Sequence, residues 1–149
     1  MDELFELYQE IILDHNKRPR NFRPMVEHTH SADGQNPVCG DEITVYVRMS
    51  GDAIEDISFQ GEGCAISKAS ASLMTRQVKG MSIEEATEEF RRVQGMLTGS
   101  EGVAFSLEEA GDIASLSGVR RFPARVKCAT LAWHALKAAL EGTEAISTE

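Results

Sequence analysis

The chain changes from strand-like alternation to helical periodicity near residue 64, and this change limits its possible folds more than any other feature. In residues 42–49 (EITVYVRM), apolar residues occupy every second position, as in a strand with one buried face. The turn SGDA and the run IEDISFQ then complete a predicted antiparallel hairpin. Ile54 is out of phase with Ile57 and Phe59, which indicates a β-bulge. Helical patterns follow, so the sequence predicts an α+β protein.

One predicted helix precedes this hairpin in the sequence, and the others follow it. A first helix is predicted to end near Arg18, before Pro19, and residues 20–38 are predicted to be an extended loop with at most a short strand around residues 27–32. Two capping-box signatures, Ser82 with Glu85 and Ser106 with Glu109, mark helix starts. The predicted helical segments are residues 2–18, 64–80, 82–97, 106–116 and 122–141.

The length of the chain fits a single domain. It has 149 residues, of which 42% are hydrophobic, enough for one core. No internal repeat or linker divides it, so residues 1–142 are predicted to form one domain. Residues 143–149 are predicted to be a disordered acidic tail.

The charge of the chain argues against some classes of partner. With 24 acidic and 15 basic residues, the formal net charge is −9, which opposes binding to nucleic acid or to an anionic membrane surface. No stretch approaches the roughly 20 apolar residues that span a bilayer. The first residues, MDELFELYQE, are acidic where a signal peptide would be basic. The sequence therefore predicts a cytoplasmic protein whose protein partners present a basic face.

Three cysteines are the residues most capable of chemistry. Cys39 precedes the first hairpin strand, Cys64 lies at a predicted helix start and Cys128 lies in the first turns of the last helix. Their odd number and wide spacing argue against a disulfide framework. Gly40 and Gly63 remove side chains beside two of them, so that a metal or a partner could approach. Spacing alone leaves two interpretations open, small core side chains or a metal site.

The motifs around these cysteines carry a resemblance to a known family. NPVCGDEI, GEGCAISKASASLMT, VKGMS and PARVKCATLAWHAL together resemble the IscU/SufU family, the scaffolds and sulfur acceptors of iron-sulfur cluster assembly. The resemblance spans nearly the whole chain. It implies a small antiparallel three-stranded sheet packed against helices, as in IscU and NifU N-terminal domains. It also implies a metal site of Cys39, Asp41, Cys64 and Cys128, in which the hard carboxylate would make the site exchangeable.

Two departures place the chain nearer the SufU branch. The stretch FPARVKC lacks the double proline and the histidine before the last cysteine of the IscU branch, and residues 96–121 resemble the SufU insertion. That branch implies bound Zn²⁺ and sulfur accepted from a cysteine desulfurase of the SufS/IscS type, with apo iron-sulfur proteins downstream. Whether a transient 2Fe-2S cluster forms on the protein stays open. Arg125 resembles a position implicated in the SufU site, and Lys127 lies beside Cys128.

One cysteine is predicted to be the sulfur acceptor, and two alternative functions stay open. Cys39 is the predicted acceptor because a glycine-flanked loop would let it move toward a partner. The first alternative is a stand-alone thiol enzyme, with Cys128 or Cys39 as nucleophile and His134 as base. The second is a structural zinc domain. His28 and His30 are interpreted as exposed loop residues and not as metal ligands.

Overall fold

The computed structural model describes residues 2–98, 111–142 and 145–147 of the chain. They form a sheet that is packed against helices. In chain order the elements are α1 (Asp2–Lys17), β1 (His30–Asn36), β2 (Asp41–Ser50), β3 (Ala53–Glu62), α2 (Ala65–Val78), α3 (Ile83–Thr98), a 3₁₀ helix (Gly111–Arg121), α4 (Pro123–Glu141) and β4 (Ala145–Ser147).

The hairpin of β2 and β3 has the predicted alternation and the predicted bulge. Ile43, Val45 and Val47 are buried on one face of β2. The register shifts where Arg48 pairs with Asp56 and the next residue of β2 pairs with Ile54, so β3 carries one extra residue there. This extra residue explains why Ile54 is out of phase, and it confirms the bulge.

The sheet has four strands in the order β3-β2-β1-β4, one more than the sequence predicts. β1 pairs antiparallel with β2, whereas β4 pairs parallel with β1, so the sheet is mixed. β1 covers Asp33–Asn36, which the sequence assigned to a loop. Its residues, HSADGQN, have low strand propensity, and pairing with β2 imposes the extended backbone. The α+β class is confirmed.

The C-terminal tail was predicted to be disordered, yet three of its residues form β4. Residues 145–147 pair with residues 33–35 of β1. The remainder of the predicted tail, residues 143–144 and 148–149, lies outside the described part of the chain.

α4 packs on β1 and β2, and small residues allow the close approach. A Cβ built at Gly34 would lie 3.1 Å from Leu131 Cδ1 and 3.3 Å from the Ala135 Cβ, so glycine lets β1 approach the helix. α2 packs against α4 through a hydrogen bond of 2.5 Å that the Ser70 hydroxyl donates to the Ala129 carbonyl. The rich Ala and Ser content of α2 therefore serves close helix packing, and this packing places the start of α2 beside the start of α4.

The capping box at the start of α3 is confirmed. The Ser82 backbone N–H donates to Glu85 Oε1 at 3.0 Å, and the Glu85 N–H donates to Ser82 Oγ at 3.1 Å. The second predicted capping box, at residues 106–109, lies outside the described residues. Of the α-helix predicted there, residues 111–116 belong instead to the 3₁₀ helix. No described helix is both long enough and apolar enough to cross a membrane.

Candidate metal centre

A tight turn between β1 and β2 carries Cys39. The end residues of the two strands, Asn36 and Asp41, are register partners, so only four residues connect them. The Cys39 N–H donates to the Asn36 carbonyl at 3.3 Å, and Gly40 follows with φ of +72°, a conformation that favours glycine. Cys39 therefore lies, half-buried, in a turn that is anchored by a strand on both sides. Residues 30–36 of the loop that the sequence predicts before it form β1.

Asp41 is buried at the first position of β2, with a relative exposure of 1%. Its Oδ1 accepts a hydrogen bond from the Cys64 backbone N–H at 2.9 Å, and its Oδ2 accepts one from Asn36 Nδ2 at 3.4 Å. Among the described residues, no cationic side chain forms an ion pair with Asp41. A buried carboxylate is normally paired with a cation or bound to a metal. The Asp41 carboxylate therefore lacks the positive charge that a bound cation would supply.

Gly63 makes the position of Asp41 possible. A Cβ built at residue 63 would lie only 2.5 Å from Asp41 Oδ1. Any other residue would displace the carboxylate or the chain leading into α2. The sequence predicted that Gly63 admits a metal or a partner, whereas the group that approaches it most closely is a carboxylate of the same chain.

Two helix starts carry the other cysteines. Cys64 is the N-cap residue of α2, and its Sγ accepts a hydrogen bond from the Ser67 N–H at 3.4 Å. Cys128 is buried near the start of α4, where its Sγ lies 3.6 Å from the Ala124 carbonyl and 3.6 Å from Asn36 Nδ2. Burial raises the pKa of the Cys128 thiol, and hydrogen bonds with Asp41 and with the other two cysteines raise it further. Without a cation, the buried thiol is therefore protonated.

Three of the four predicted ligands form one group. One ligand atom each of Cys39, Asp41 and Cys128 lies within 4.8 Å of the others, and we call these three residues the ligand group. Cys64 lies at its edge: its backbone N–H binds Asp41, but its thiol does not meet the same distance limit.

The donor set of the ligand group fits zinc. Zinc binds thiolate sulfur at about 2.3 Å and carboxylate oxygen at about 2.0–2.2 Å. Ligand atoms around one tetrahedral ion are thus separated by roughly 3.3–3.8 Å, which lies within the 4.8 Å limit that the group meets. Two sulfurs, one oxygen and an adjacent third sulfur provide the four ligands that such an ion takes.

The two basic residues of the predicted site differ in their contacts. The Arg125 guanidinium is exposed at the start of α4. The negative charge of the Cys64 thiolate, followed by hydrogen bonding with it, raises the pKa of Arg125. Lys127 is exposed, and in the described structure its side chain has no hydrogen bond or ion pair. Arg125 thus contributes positive charge to the site, whereas Lys127 only lies beside the site.

The histidines lie apart from the cysteines. His134 is six residues beyond Cys128 on α4, about 9 Å along the helix, and its ring packs edge-on against Phe90 at 5.1 Å. His28 Nδ1 bonds the Met25 carbonyl, and His30 Nδ1 lies 2.8 Å from Thr29 Oγ1. In the described part of the chain, no cysteine is hydrogen-bonded to a histidine.

A cleft of about 780 Å³ opens beside Cys64 and Arg125. Its walls come from α1, the start of α2, the 3₁₀ helix and Phe122, and they are mainly apolar. Near the ligand group, Val38 is 72% exposed, and Phe122 is 60% exposed at the rim of the cleft. Single exposed apolar side chains are ordinary, whereas a continuous apolar cleft of this kind commonly marks a binding surface.

Asn36 is the site residue that the sequence analysis missed. The sequence places it only within the loop predicted over residues 20–38. In the structure it is fully buried and its amide contacts two members of the ligand group. Its place at the end of β1 depends on strand pairing, which the local sequence does not reveal.

Comparison with known proteins agrees with this geometry. The sequence profile of the NifU-like N-terminal domain matches residues 7–148. The chain is 45% identical over 131 residues to the zinc-dependent sulfurtransferase SufU of Bacillus subtilis strain 168, an alignment that covers 88% of this chain and 87% of that protein. It is 42% identical over 141 residues to the iron-sulfur cluster assembly scaffold protein IscU of Streptococcus pyogenes serotype M1, covering 95% and 87%.

A solved structure extends the comparison to three dimensions. FiSufU of the thermophile Fervidobacterium islandicum AW-1 superimposes with a TM-score of 0.81 at 37% identity, over 88% of this chain and 94% of that one. The similarity therefore covers both the elements that carry the cysteines and the sheet beneath them.

Proposed function

The chain belongs to the family of NifU-like N-terminal domains, and on that premise we propose that it acts in iron-sulfur cluster assembly as a zinc-binding sulfur acceptor. The observation that carries this proposal is the buried Asp41 carboxylate, which faces two thiols and has no cationic partner among the described side chains. The proposed zinc ligands are Cys39, Asp41, Cys64 and Cys128. Bound zinc supplies the positive charge that keeps these thiols deprotonated, without redox chemistry of its own.

The residues of the ligand group and the neighbouring Arg125 have different proposed roles in sulfur transfer. Asp41 is the hard, weakly matched ligand of the set, so it is the one most readily exchanged. Arg125 places a positive charge against Cys64, where an incoming anionic sulfur would be stabilised. Cys39 is half-exposed, like Cys64, but it lies in a turn beside the exposed Val38, and we assign it as the thiol that accepts the sulfur.

The transfer step needs no external oxidant. The Cys39 thiolate attacks the terminal sulfur of a persulfide on the partner. A new S–S bond forms to Cys39, the S–S bond to the partner's cysteine breaks, and that cysteine leaves as a thiolate. The persulfide proton stays on the transferred sulfur. The product is a persulfide on Cys39, from which sulfur passes to downstream cluster-assembly or apo iron-sulfur proteins.

The partner that supplies this persulfide is a cysteine desulfurase. The exposed Val38 beside Cys39 and the exposed Phe122 at the rim of the cleft are the apolar surfaces that we assign to its contact. Because the thiols must stay reduced, we place the protein in a reducing compartment, the cytoplasm.

A second candidate function uses the same residues as a scaffold. Its support is the 42% identity to an IscU scaffold protein over 95% of this chain. In that case a 2Fe-2S cluster would be the cargo of the ligand group, held by thiolates and released to apo-proteins.

One experiment separates these candidates. The purified chain is analysed for zinc and iron, and is then mixed under anaerobic conditions with a desulfurase carrying persulfide. We expect about one zinc per chain and a mass increase of one sulfur atom. A chain that carries iron with sulfide absorbance would support the scaffold instead. Zinc without sulfur uptake would overturn the acceptor in favour of a structural zinc domain.

Gly63→Ala is expected to weaken zinc binding by about 10- to 100-fold, the usual cost of disturbing a residue that positions a metal ligand. The added Cβ would meet Asp41 Oδ1 at 2.5 Å and displace the carboxylate. Chelator competition measures the affinity. Gly118→Ala is the matched control, because a Cβ there meets no atom within 4 Å. Equal affinity for both variants would show that the position of Asp41 does not matter.

A further inference from the structure

Asn36 contacts every member of the ligand group. Its backbone carbonyl accepts from the Cys39 N–H at 3.3 Å. Its side-chain Nδ2 lies 3.4 Å from Asp41 Oδ2 and 3.6 Å from Cys128 Sγ. The residue is fully buried, and pairing of the ends of β1 and β2 fixes its backbone.

The chemistry of the amide fixes its orientation. Nδ2 carries two hydrogens, and two acceptors lie within their reach, a carboxylate oxygen and a sulfur. The reverse orientation would turn the amide oxygen toward two groups that are anionic when a cation is bound. Only the donor orientation is therefore compatible with a loaded site.

The amide oxygen of the same residue indicates that Asn36 is more than a packing residue. Asn36 Oδ1 is buried and, in the described structure, has no hydrogen-bond partner. An unpaired buried acceptor costs free energy, which an apolar side chain of the same shape would avoid. The oxygen is left without a partner because the amide is oriented to place its nitrogen between Asp41 and Cys128.

The two oxygens of Asp41 are thus held by separate donors. The Cys64 N–H binds Oδ1 and the Asn36 amide binds Oδ2, which fixes the plane of the carboxylate. Each oxygen keeps a second lone pair for a metal. The second hydrogen of the amide is directed at Cys128 Sγ, 3.6 Å from the nitrogen, where a hydrogen bond stabilises a thiolate bound to a metal.

We infer that Asn36 is a positioning residue of the metal centre, which orients the Asp41 carboxylate and stabilises the Cys128 thiolate through its two amide N–H groups. The inference rests on the proposed function, since it concerns zinc bound by the ligand group. Asn36 acts through the ligands and touches no reacting atom.

Asn36→Leu tests the inference because leucine has nearly the shape of asparagine but no donor. We expect zinc affinity to fall by about 10- to 100-fold. Thermal unfolding of the metal-free protein should change little, because the loss of the unpaired oxygen offsets the donor that Asp41 Oδ2 loses. In the cobalt-substituted protein, the sulfur-to-cobalt absorption bands should shift, since one thiolate has lost its hydrogen bond. If Asn36 served only packing, its replacement would not shift these bands while the stability of the metal-free protein stayed the same.

Ser58→Ala is the matched control. Ser58 is a buried polar residue of β3 whose Oγ is also unpaired, and it does not contact the ligand group. Its variant should keep the zinc affinity and the cobalt spectrum of the unmodified protein. If Asn36→Leu does not fold, Asn36→Ala is measured in the same way.

The outcomes separate this inference from the proposed function. Unchanged zinc affinity and cobalt bands in a folded Asn36 variant overturn the positioning role alone. Failure of the unmodified protein to bind zinc overturns both. A large loss of zinc affinity in Asn36→Leu with intact metal-free stability supports the inference.

Discussion

Cys128→Ser is expected to leave a folded protein that no longer retains zinc through purification. The loss of affinity should exceed the roughly 10- to 100-fold that follows from disturbing a positioning residue, because a ligand itself is removed. Cys128 is the buried thiol of the ligand group and contacts Asn36 and the Ala124 carbonyl. Serine nearly keeps the volume, but its hydroxyl is scarcely ionised at neutral pH and does not replace a thiolate.

Metal analysis and chelator competition measure this loss, and circular dichroism checks the fold. Lys127→Ala is the control beside it on α4, since Lys127 is exposed and has no side-chain partner in the described structure. It should bind zinc as the unmodified protein does. A Cys128→Ser protein that keeps one zinc with near-normal affinity would remove Cys128 from the ligands. Loss of zinc in Lys127→Ala would instead give the lysine a role that its position does not explain.

The hairpin could be predicted from the sequence because its signal is local. The alternation of β2 and the phase slip at Ile54 are both properties of a few neighbouring residues, and both appear in the structure. β1 could be located only in part, since the short strand allowed around residues 27–32 overlaps its first residues, and β4 could not be located at all. Residues 33–36 have little strand propensity and β4 is only three residues long, so pairing with distant partners makes both extended.

The same distinction applies to the candidate site. Each cysteine could be placed at the boundary of an element, because strand entries and helix starts have local signatures. The convergence of Cys39 and Cys128 depends on α4 packing over the sheet, and only the family resemblance anticipated it. The place of Asn36 in the site could not be predicted, because its burial follows from the pairing of β1 with β2. The contact of Gly63 with Asp41 likewise joins two segments that are distant in the sequence.

Cys39→Ser is expected to lower the rate of sulfur acceptance from a cysteine desulfurase by roughly 10²-fold or more, because the nucleophile of the reaction is lost. Cys39 is half-buried in a turn next to the exposed Val38, whereas Cys128 is fully buried. Cys64 is half-buried, but it is the N-cap residue of α2 and the Ser67 N–H binds its sulfur. A persulfide on a second protein therefore reaches Cys39 with the least rearrangement.

Since Cys39 is also a proposed zinc ligand, activity alone would not identify the acceptor. The decisive measurement is the position of the persulfide, found by mass spectrometry of alkylated peptides after a single turnover. Cys64→Ser and Cys128→Ser proteins, each supplied with the same zinc, are the matched controls, because they also lose one thiol of the site. Persulfide should form on Cys39 in both controls and on no thiol of the Cys39→Ser protein. If sulfur instead accumulates on Cys128 in Cys39→Ser and desulfurase turnover persists, then the buried thiol is the acceptor. The turn would in that case have to open to admit the partner, and the half-exposed position of Cys39 would serve metal exchange alone.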